Sequence, residues 1–536
     1  DIQKVPLAVS ALGVQTLAVI ASGGDDVRML SGRVPSLTLE SSFGRTFPRP
    51  YIRGLGNTDF DLNASQPVSF VYDDVVLESP ILKGFPLFDI DQVEVLRGPQ
   101  GTLFGRNTPA GVLKFDSVKP SKEVKGYGQV SYASLGTVNA EGAVGGPITD
   151  GVLYGRISGL YQHRNNWIDN GFTGQRDATG GYDEMAIRAQ LLWTPNEHFS
   201  ALLNVHHMHL NGTPQIFRAN IITSGTDQIV PGFQRNVIYQ DAQSRSFQHV
   251  NATGGVLNMT YDFGGGLKLT SITAYDHAHT LSHGDIDGGY GAAFAPPSGP
   301  GLIPFPSESA DGMPKHHQIS QEVRLAGDAG PVHYQVGGFY FYESININSF
   351  DYNTLANGAL DGYAWQHQIT KSWALFGTAT YHVTEKFNVT AGIRYTNDQK
   401  NFEADRITSP FGAPTTGVLR SKPKSDDVSF NVSADYQVTD DVSVYGRIAK
   451  GYRAPSIQGR LLFGDTISVA GKETLYSYEM GLKSYLFDHR LRANLAAFDY
   501  EVDNLQVTAV GGGANFNRLL NAKHAQGYGF EADLEA

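Results

Sequence analysis

The rhythm of its connections is what most constrains this chain. From about residue 126 onward, long segments alternate apolar and polar side chains, and the joints between them are alternately short and long. Phe387, Val389, Ala391, Ile393 and Tyr395 share one face, with Asn388, Thr390, Gly392 and Arg394 on the other. Phe430, Val432, Ala434, Tyr436 and Val438 oppose Ser429, Asn431, Ser433, Asp435 and Gln437 in the same way. A period of two marks a strand with one apolar and one polar face. About sixteen such segments are legible, near 126–135, 138–147, 151–165, 182–195, 199–211, 251–263, 267–280, 316–327, 331–346, 363–382, 386–402, 427–438, 442–452, 474–486, 491–507 and 523–535.

The joints select the architecture. Short turns fall near residues 149–150, 195–197, 264–266, 327–330, 384–386, 439–441 and 487–489. After a brief first connection near Leu135, long loops span about 164–181, 212–250, 281–315, 347–362, 403–426, 453–473 and 508–522. A soluble sandwich has no reason to gather its long loops at one end. An outer-membrane barrel does, with tight turns on the periplasmic rim and long loops outside. Strands of this length suit a tilted crossing of the bilayer, and closure leaves no backbone group unpaired in hydrocarbon. The absence of a fixed-period repeat speaks against a solenoid or propeller. The 281–315 loop, with Gly288-Gly289, Pro296-Pro297 and Pro304, reads as a flexible extracellular loop.

Composition removes other classes. With 41 basic against 53 acidic side chains and no Lys/Arg run, the chain is no nucleic-acid binder. The absence of cysteine excludes disulfides, thiol catalysis and Cys-ligated zinc. No run of about 20 apolar residues offers a membrane helix. The nearest, Val5–Ala21, is interrupted by Pro6, Ser10, Gly13, Gln15 and Thr16 and resembles a signal-peptide core without its basic flank, so a mature or trimmed N-terminus is expected. The last segment, His524–Leu534, is itself strand-like; a barrel pairs last strand with first, so the sequence reads as a fragment.

The first 121 residues differ in texture, being dense in Gly, Pro and short apolar runs. Tyr51-Ile52-Arg53-Gly54-Leu55-Gly56-Asn57, Val68-Ser69-Phe70-Val71-Tyr72-Asp73-Asp74-Val75, Ile90-Asp91-Gln92-Val93-Glu94-Val95-Leu96-Arg97-Gly98-Pro99-Gln100-Gly101-Thr102-Leu103-Phe104-Gly105-Arg106-Asn107 and Ala110-Gly111-Val112 resemble, in order and spacing, the plug domain of TonB-dependent outer-membrane receptors. Lys450-Gly451-Tyr452-Arg453-Ala454-Pro455, Tyr478-Glu479-Met480-Gly481-Leu482-Lys483, Ala497-Phe498-Asp499-Tyr500 and Gly529-Phe530-Glu531 resemble that family's late barrel strands. The resemblance covers essentially the whole chain. It implies an all-β membrane protein: an antiparallel transmembrane β-barrel of 22 strands in the family, about 16 of them visible here, with an N-terminal α/β plug in the lumen. The expected division is plug over 1–121 and barrel over 122–536. No convincing TonB box precedes Val5-Pro6-Leu7-Ala8-Val9.

The resemblance also implies function: TonB-dependent transport of a scarce ligand, by family default a ferric siderophore, with carbohydrate, cobalamin, haem or an aromatic compound as alternatives and a passive porin as a remote one. The implied partners are TonB with the ExbB-ExbD motor, outer-membrane lipid and the small-molecule ligand. No cofactor is expected. In the family, arginines and glutamates at matching motifs join plug to wall, which nominates Arg53, Arg97, Glu479 and Glu531; charges inside a barrel need partners. Ligand contacts come from plug apices, which nominates Arg45, Asp59, Phe60, Ile81, Leu82 and Lys83, with Arg45 and Lys83 suited to an anion and Phe60 to an apolar or aromatic group.

Two bland readings stand beside these. Gly98, Gly101 and Gly105 follow a strand as a phosphate loop would, but no Lys followed by Ser or Thr completes a Walker motif, and tight plug turns account for them better. Histidines gather at His206, His207 and His209, at His277, His279 and His283, and at His316 and His317; rim or girdle positions are expected rather than a metal site. No catalytic constellation stands out.

Overall fold

The computed structural model describes residues 3, 5–21, 26–241, 246–290, 307–410, 412–511 and 516–536. Of the expected 281–315 loop, 281–285 and 308–315 belong to strands, while 291–306, with the Pro positions noted above, lies outside the described residues.

Sixteen long antiparallel strands, plus the three-residue Leu419–Ser421 beside Phe387–Thr408, form the barrel wall. All sixteen segments read from the alternation are strands. Most run longer than the pattern suggested. Val332–Asn353 and Ala359–Thr384 are joined by a short turn where a loop over 347–362 was expected, and Leu491–Gly511 and Phe516–Glu535 shorten the expected 508–522 loop. The reason is visible in the register: Asn346 pairs with His367 and Asn348 with Trp365. Above the lipid both faces meet water, so the ladder persists after the apolar alternation has ended.

On the wall, inward side chains are buried and outward apolar ones are bare: Arg394 and Thr396 are 2% and 1% exposed, their neighbour Ile393 is 59%. Such a band suits lipid as its solvent. No helix is long and apolar enough to cross a membrane. The strand order closes from Phe516–Glu535 back to Lys125–Ala133. Tyr528, Phe530, Val130 and Tyr132 beside that seam are the barest large apolar side chains among the described residues.

The plug is a five-stranded sheet in the order Val9–Gly13, Ile90–Arg97, Gly111–Ser117, Val68–Tyr72, Val75–Leu77. Only Val68–Tyr72 and Gly111–Ser117 run parallel. Its core is Val68, Phe70, Val93, Val95, Leu113 and Phe115, each at most 1% exposed. The apolar stretch Val5–Ala21 is part of this fold: its strand pairs Leu12 with Val93, and the helix Val14–Ala21 follows. A ribbon of Leu37–Glu40 and Arg49–Ile52 lies alongside. The plug strands end at Ser117 and the wall begins at Lys125. Hydrogen bonds tie the plug to many parts of the wall, from Arg188 to the carbonyl of Phe88, Gln318 to that of Val76, Gln366 to Asp61, and Arg447 to the carbonyl of Pro99.

Candidate functional site: a plug clamp and a basic vault

The turn Ile52-Arg53-Gly54-Leu55 is closed by reciprocal backbone bonds between Ile52 and Leu55, both 3.0 Å. Arg53 and Gly54 sit at φ +53° and +79°. Two positive φ values define the hairpin turn that a right-twisted ribbon prefers. Glycine adopts this freely, but arginine does so at a cost, so the ribbon holds Arg53 at its tip under mild strain.

From there the guanidinium spans two wall strands. Its Nη2 lies 2.7 Å from Glu479 Oε2 and 2.8 Å from Glu531 Oε2, and Nε donates to Glu531 Oε1 at 3.0 Å. The Phe498 ring lies 4.0 Å beneath its Cζ. Arg97, at the end of Ile90–Arg97, places Nη1 3.4 Å from Glu531 Oε2, while its Nη2 donates to Ser10 Oγ at 3.1 Å. Ser10 in turn donates to Asp533. Glu479 also accepts from the Ala8 amide and the Tyr445 hydroxyl, each at 2.8 Å. All four side chains expected to cluster therefore meet, each 2–3% exposed. Burial presses against the Arg53 charge, but the hydrogen bonds to Glu531 and the Glu479 charge hold its pKa above the ordinary value.

Two further buried clamps went unnoticed in the sequence. Arg106 lies 3.2 Å from Glu78 and 3.1 Å from Asp398 on the wall. Asp89 of the plug accepts from Arg156 Nε at 2.8 Å. Arg106 stood inside a quoted motif, but its wall partner is far away in sequence, and no local signal joins them.

The nominated ligand positions divide. Arg45 reaches a cavity of about 370 Å³ at the long-loop end, also lined by Arg28, Arg164, Arg218, Arg235 and Trp167. Its guanidinium is fixed by Glu184 at 2.6 Å and Gln162 at 2.9 Å and lies 3.8 Å over the Tyr182 ring. Arg218 donates to the Arg235 carbonyl at 2.8 Å, while its buried Nε has no hydrogen-bond partner among the described residues. Burial and the neighbouring Arg235 charge both push the Arg218 pKa down. An anion in the cavity relieves both penalties. These arginines come from the plug, the end of the strand Leu153–Arg164 and the loop after Gly212, which is why no local pattern revealed them.

Asp59 is buried, accepting from the Asp61 amide and Gln458, both at 3.1 Å. Phe60 is half-buried with the Arg460 guanidinium 5.7 Å above it. Ile81, Leu82 and Lys83 do not form an open apex as expected. They are 1%, 7% and 2% exposed, because the turn Ser79–Gly84 tucks them into the interior. Lys83 donates to Gln66 at 2.7 Å, and burial pulls its pKa down to about 8. The glycines belong to turns: Gly98 and Gly105 adopt φ +74° and +83°, flanking the short helix Gly101–Phe104.

Comparison with known proteins places these features. The family model described as TonB dependent receptor-like, beta-barrel, matches residues 151–536, and the TonB-dependent Receptor Plug Domain matches 1–112. The pesticin receptor of Yersinia enterocolitica is 25% identical over 511 residues, covering 94% of this chain and 68% of that protein. The ferric-pyoverdine 358 receptor of Pseudomonas putida is 21% identical over 83% of this chain, which spans 54% of that protein. Among solved structures, the ferric yersiniabactin uptake receptor of Yersinia pestis superposes with a TM-score of 0.81 at 21% identity, over 99% of this chain and 76% of that one. The ferripyoverdine receptor of Pseudomonas aeruginosa bound to ferripyoverdine gives 0.73 at 16% identity, over 99% and 68%.

Proposed function

The chain belongs to the TonB-dependent receptors of the outer membrane, and from that premise we propose that it imports an anionic iron chelate, a ferric siderophore, with energy delivered through TonB from the ExbB-ExbD motor. The observation that carries this reading is the cavity in which five arginines of plug and barrel converge and a buried guanidinium nitrogen lacks a partner among the described residues. Carboxylate, catecholate and hydroxamate chelates of iron present the oxygen anions that a guanidinium fork matches. The relatives named above include receptors for ferric pyoverdine, which supports the cargo class.

In this reading the plug is residues 1–121 and the wall 122–536. Arg53, Arg97, Glu479 and Glu531 clamp the plug shut, and Arg45 leads the ligand contacts. No bond is made or broken; the protein binds, holds and releases. Uptake of radiolabelled iron, offered as a panel of siderophore chelates to a deletion strain and its complemented parent, tests it. Loss of one chelate's uptake names the cargo. Unchanged uptake of every chelate refutes iron transport and turns the reading to carbohydrate, cobalamin or aromatic cargo.

A further inference from the structure

The histidines that the transport reading leaves unused form one surface. On Phe199–Gly212, Phe247–Gly264, Leu267–Asp285 and Glu308–Ala329, the inward residues Met208, Val250, Ala278 and His316 are buried. The alternation therefore turns His207, His209, His249, His277, His279 and His317 outward. The register sets them side by side: His207 faces Thr253, which faces His277, which faces His317; His209 faces Asn251, which faces His279.

Their height is as telling as their grouping. Along the same outward face, the next residues toward the short-turn rim are Val205, Tyr275 and Ile319, all bare and apolar. His207 lies eight residues beyond Phe199, and His277 ten beyond Leu267. A strand tilted by ~40° gains about 2.5 Å of height per residue, so these imidazoles stand about 20–25 Å up, at the top edge of an apolar band about 25 Å tall. That is the level of the outer-leaflet headgroups.

Hydrogen bonding engages Nδ1 in four of these imidazoles. His277 Nδ1 donates to the His316 carbonyl at 2.8 Å, which fixes the tautomer with the lone pair on Nε2. His207 engages Thr253 through Nδ1 at 2.8 Å, and His249 engages Asn211 through Nδ1. His209 is bound on both nitrogens, by Asn251 and Asn211. The charged neighbours do not oppose an anion. Asp183, the outward carboxylate alongside, is taken by His163 at 2.7 Å and Tyr161 at 3.0 Å. Asp276 and Glu343 point inward, toward His206 and His316. Lys315 is exposed on the same strand as His317, and Lys371 stands 6.0 Å over the Tyr342 ring on which His317 stacks. Among the described residues no three metal-ligating side chains converge.

We propose that this outward histidine band is a binding site for the phosphate groups of outer-leaflet lipopolysaccharide, engaged when the imidazoles are protonated. Imidazole is the side chain that as a class changes its charge between about pH 5 and 8. Each added proton creates a donor aimed at the headgroup layer, and adjacent imidazoliums repel unless an anion lies between them.

The test uses the purified full chain in detergent, loaded with lipopolysaccharide and washed at acid and at alkaline pH, with retained lipid measured per barrel. Retention several-fold higher at acid pH is expected. The His207→Gln/His277→Gln/His279→Gln variant, shown to be folded by its heat-modifiable mobility, should lose that difference. A His277→Lys variant should retain lipid at both pH values, separating charge from shape. Enzymatically dephosphorylated lipopolysaccharide should not be retained at either pH. Retention that survives excess inorganic phosphate supports the lipid headgroup as the ligand; displacement by inorganic phosphate overturns that assignment. Acid retention unchanged in the folded triple variant, or equal for dephosphorylated lipid, overturns the site. Siderophore uptake plays no part in the readout, so this proposal and the transport reading fail separately.

Discussion

Replacing Arg97 by glutamate should spring the clamp between plug and wall. Arg97 Nη1 stands 3.4 Å from Glu531 Oε2, and both side chains are 3% exposed. At that separation and an effective dielectric near 20, unit charges interact by about 5 kcal/mol, and reversal turns this attraction into repulsion of similar size. Water entry and side-chain relaxation take back most of the swing, leaving about 3–5 kcal/mol, the usual cost of breaking a buried pair. Each ~1.4 kcal/mol is a tenfold change in population, so local opening at this wall should rise by a factor of about 10²–10⁴. The clamps at Arg106 and Arg156 remain, so the plug should loosen here without leaving. Cells carrying Arg97→Glu should admit a large antibiotic or dye that the parent excludes, and single barrels in planar bilayers should show flickering conductance. Arg97→Lys, which keeps the charge beside Glu531, should keep the seal. A folded Arg97→Glu barrel as tight as the parent would refute the clamp.

Other expectations follow from the same geometry. Arg218→Ala should weaken binding of the cognate chelate about 10- to 100-fold, the worth of a charged hydrogen bond freed from a rival charge, read by fluorescence quenching; unaltered affinity would remove the cavity from the ligand path. Asp59 and Asp61 are pushed up by burial, Asp61 further by the Asp59 charge, to about 6 and about 7. Their folded pKa values exceed the unfolded ~3.9, so the folded plug binds more protons between those limits and its stability should fall as pH rises from about 4 to 7. Calorimetric melting should show the slope and the Asp59→Asn/Asp61→Asn variant should flatten it. At Gly105, φ is +83° and a Cβ would stand 2.7 Å from Arg394 Nη2. Gly105→Ala should therefore destabilise by about 1–3 kcal/mol, seen as a lower melting temperature; an unshifted melt would mean the turn is softer than its φ implies.

The wall was legible because lipid favours apolar side chains on the outer face of each crossing, as at Ile393 and Val432, and a period of two follows even where the inner face is itself apolar, as at Met208 and Val250. Where the rule lapses, so did the reading, as in Val332–Asn353, whose upper end carries Asn346, Asn348 and Asp351 and still keeps its ladder. The clamp was legible through resemblance alone, since Arg53 and Glu531 stand far apart in the chain and nothing local couples them. Ile81, Leu82 and Lys83 misled for a related reason. A lysine after two apolar residues looks like an exposed tip, and only the packing against Phe70 and Gln66 shows it folded inward. The vault was least legible, because its arginines gather from the plug, a strand end and a loop and each alone is an ordinary surface charge.

The two sides of the plug are held by different physics, and the difference bears on how it can move. Toward the strands Tyr182–Asn196, Phe199–Gly212 and Phe247–Gly264, Leu77, Leu82 and Phe88 pack near Ala186, Met208 and Val256 around a gap of about 60 Å³, with the Arg45–Glu184 pair and the Arg188 bond to the Phe88 carbonyl beside them. Toward Phe387–Thr408 and the last strands, the contacts are the charges of Arg53, Arg97 and Arg106. Separating the apolar side wets surface at about 25 cal/mol per Å², with nothing returned. Separating the charged side breaks strong pairs, but water then solvates every freed group, and the desolvation penalty borne in the closed state is recovered. A pull that admits water along the charged wall therefore meets a barrier that falls as it proceeds, whereas the apolar wall resists to the end. On this reasoning the ionic contacts of Arg53, Arg97 and Arg106 are the ones that a hydrated pull on the plug releases at least cost.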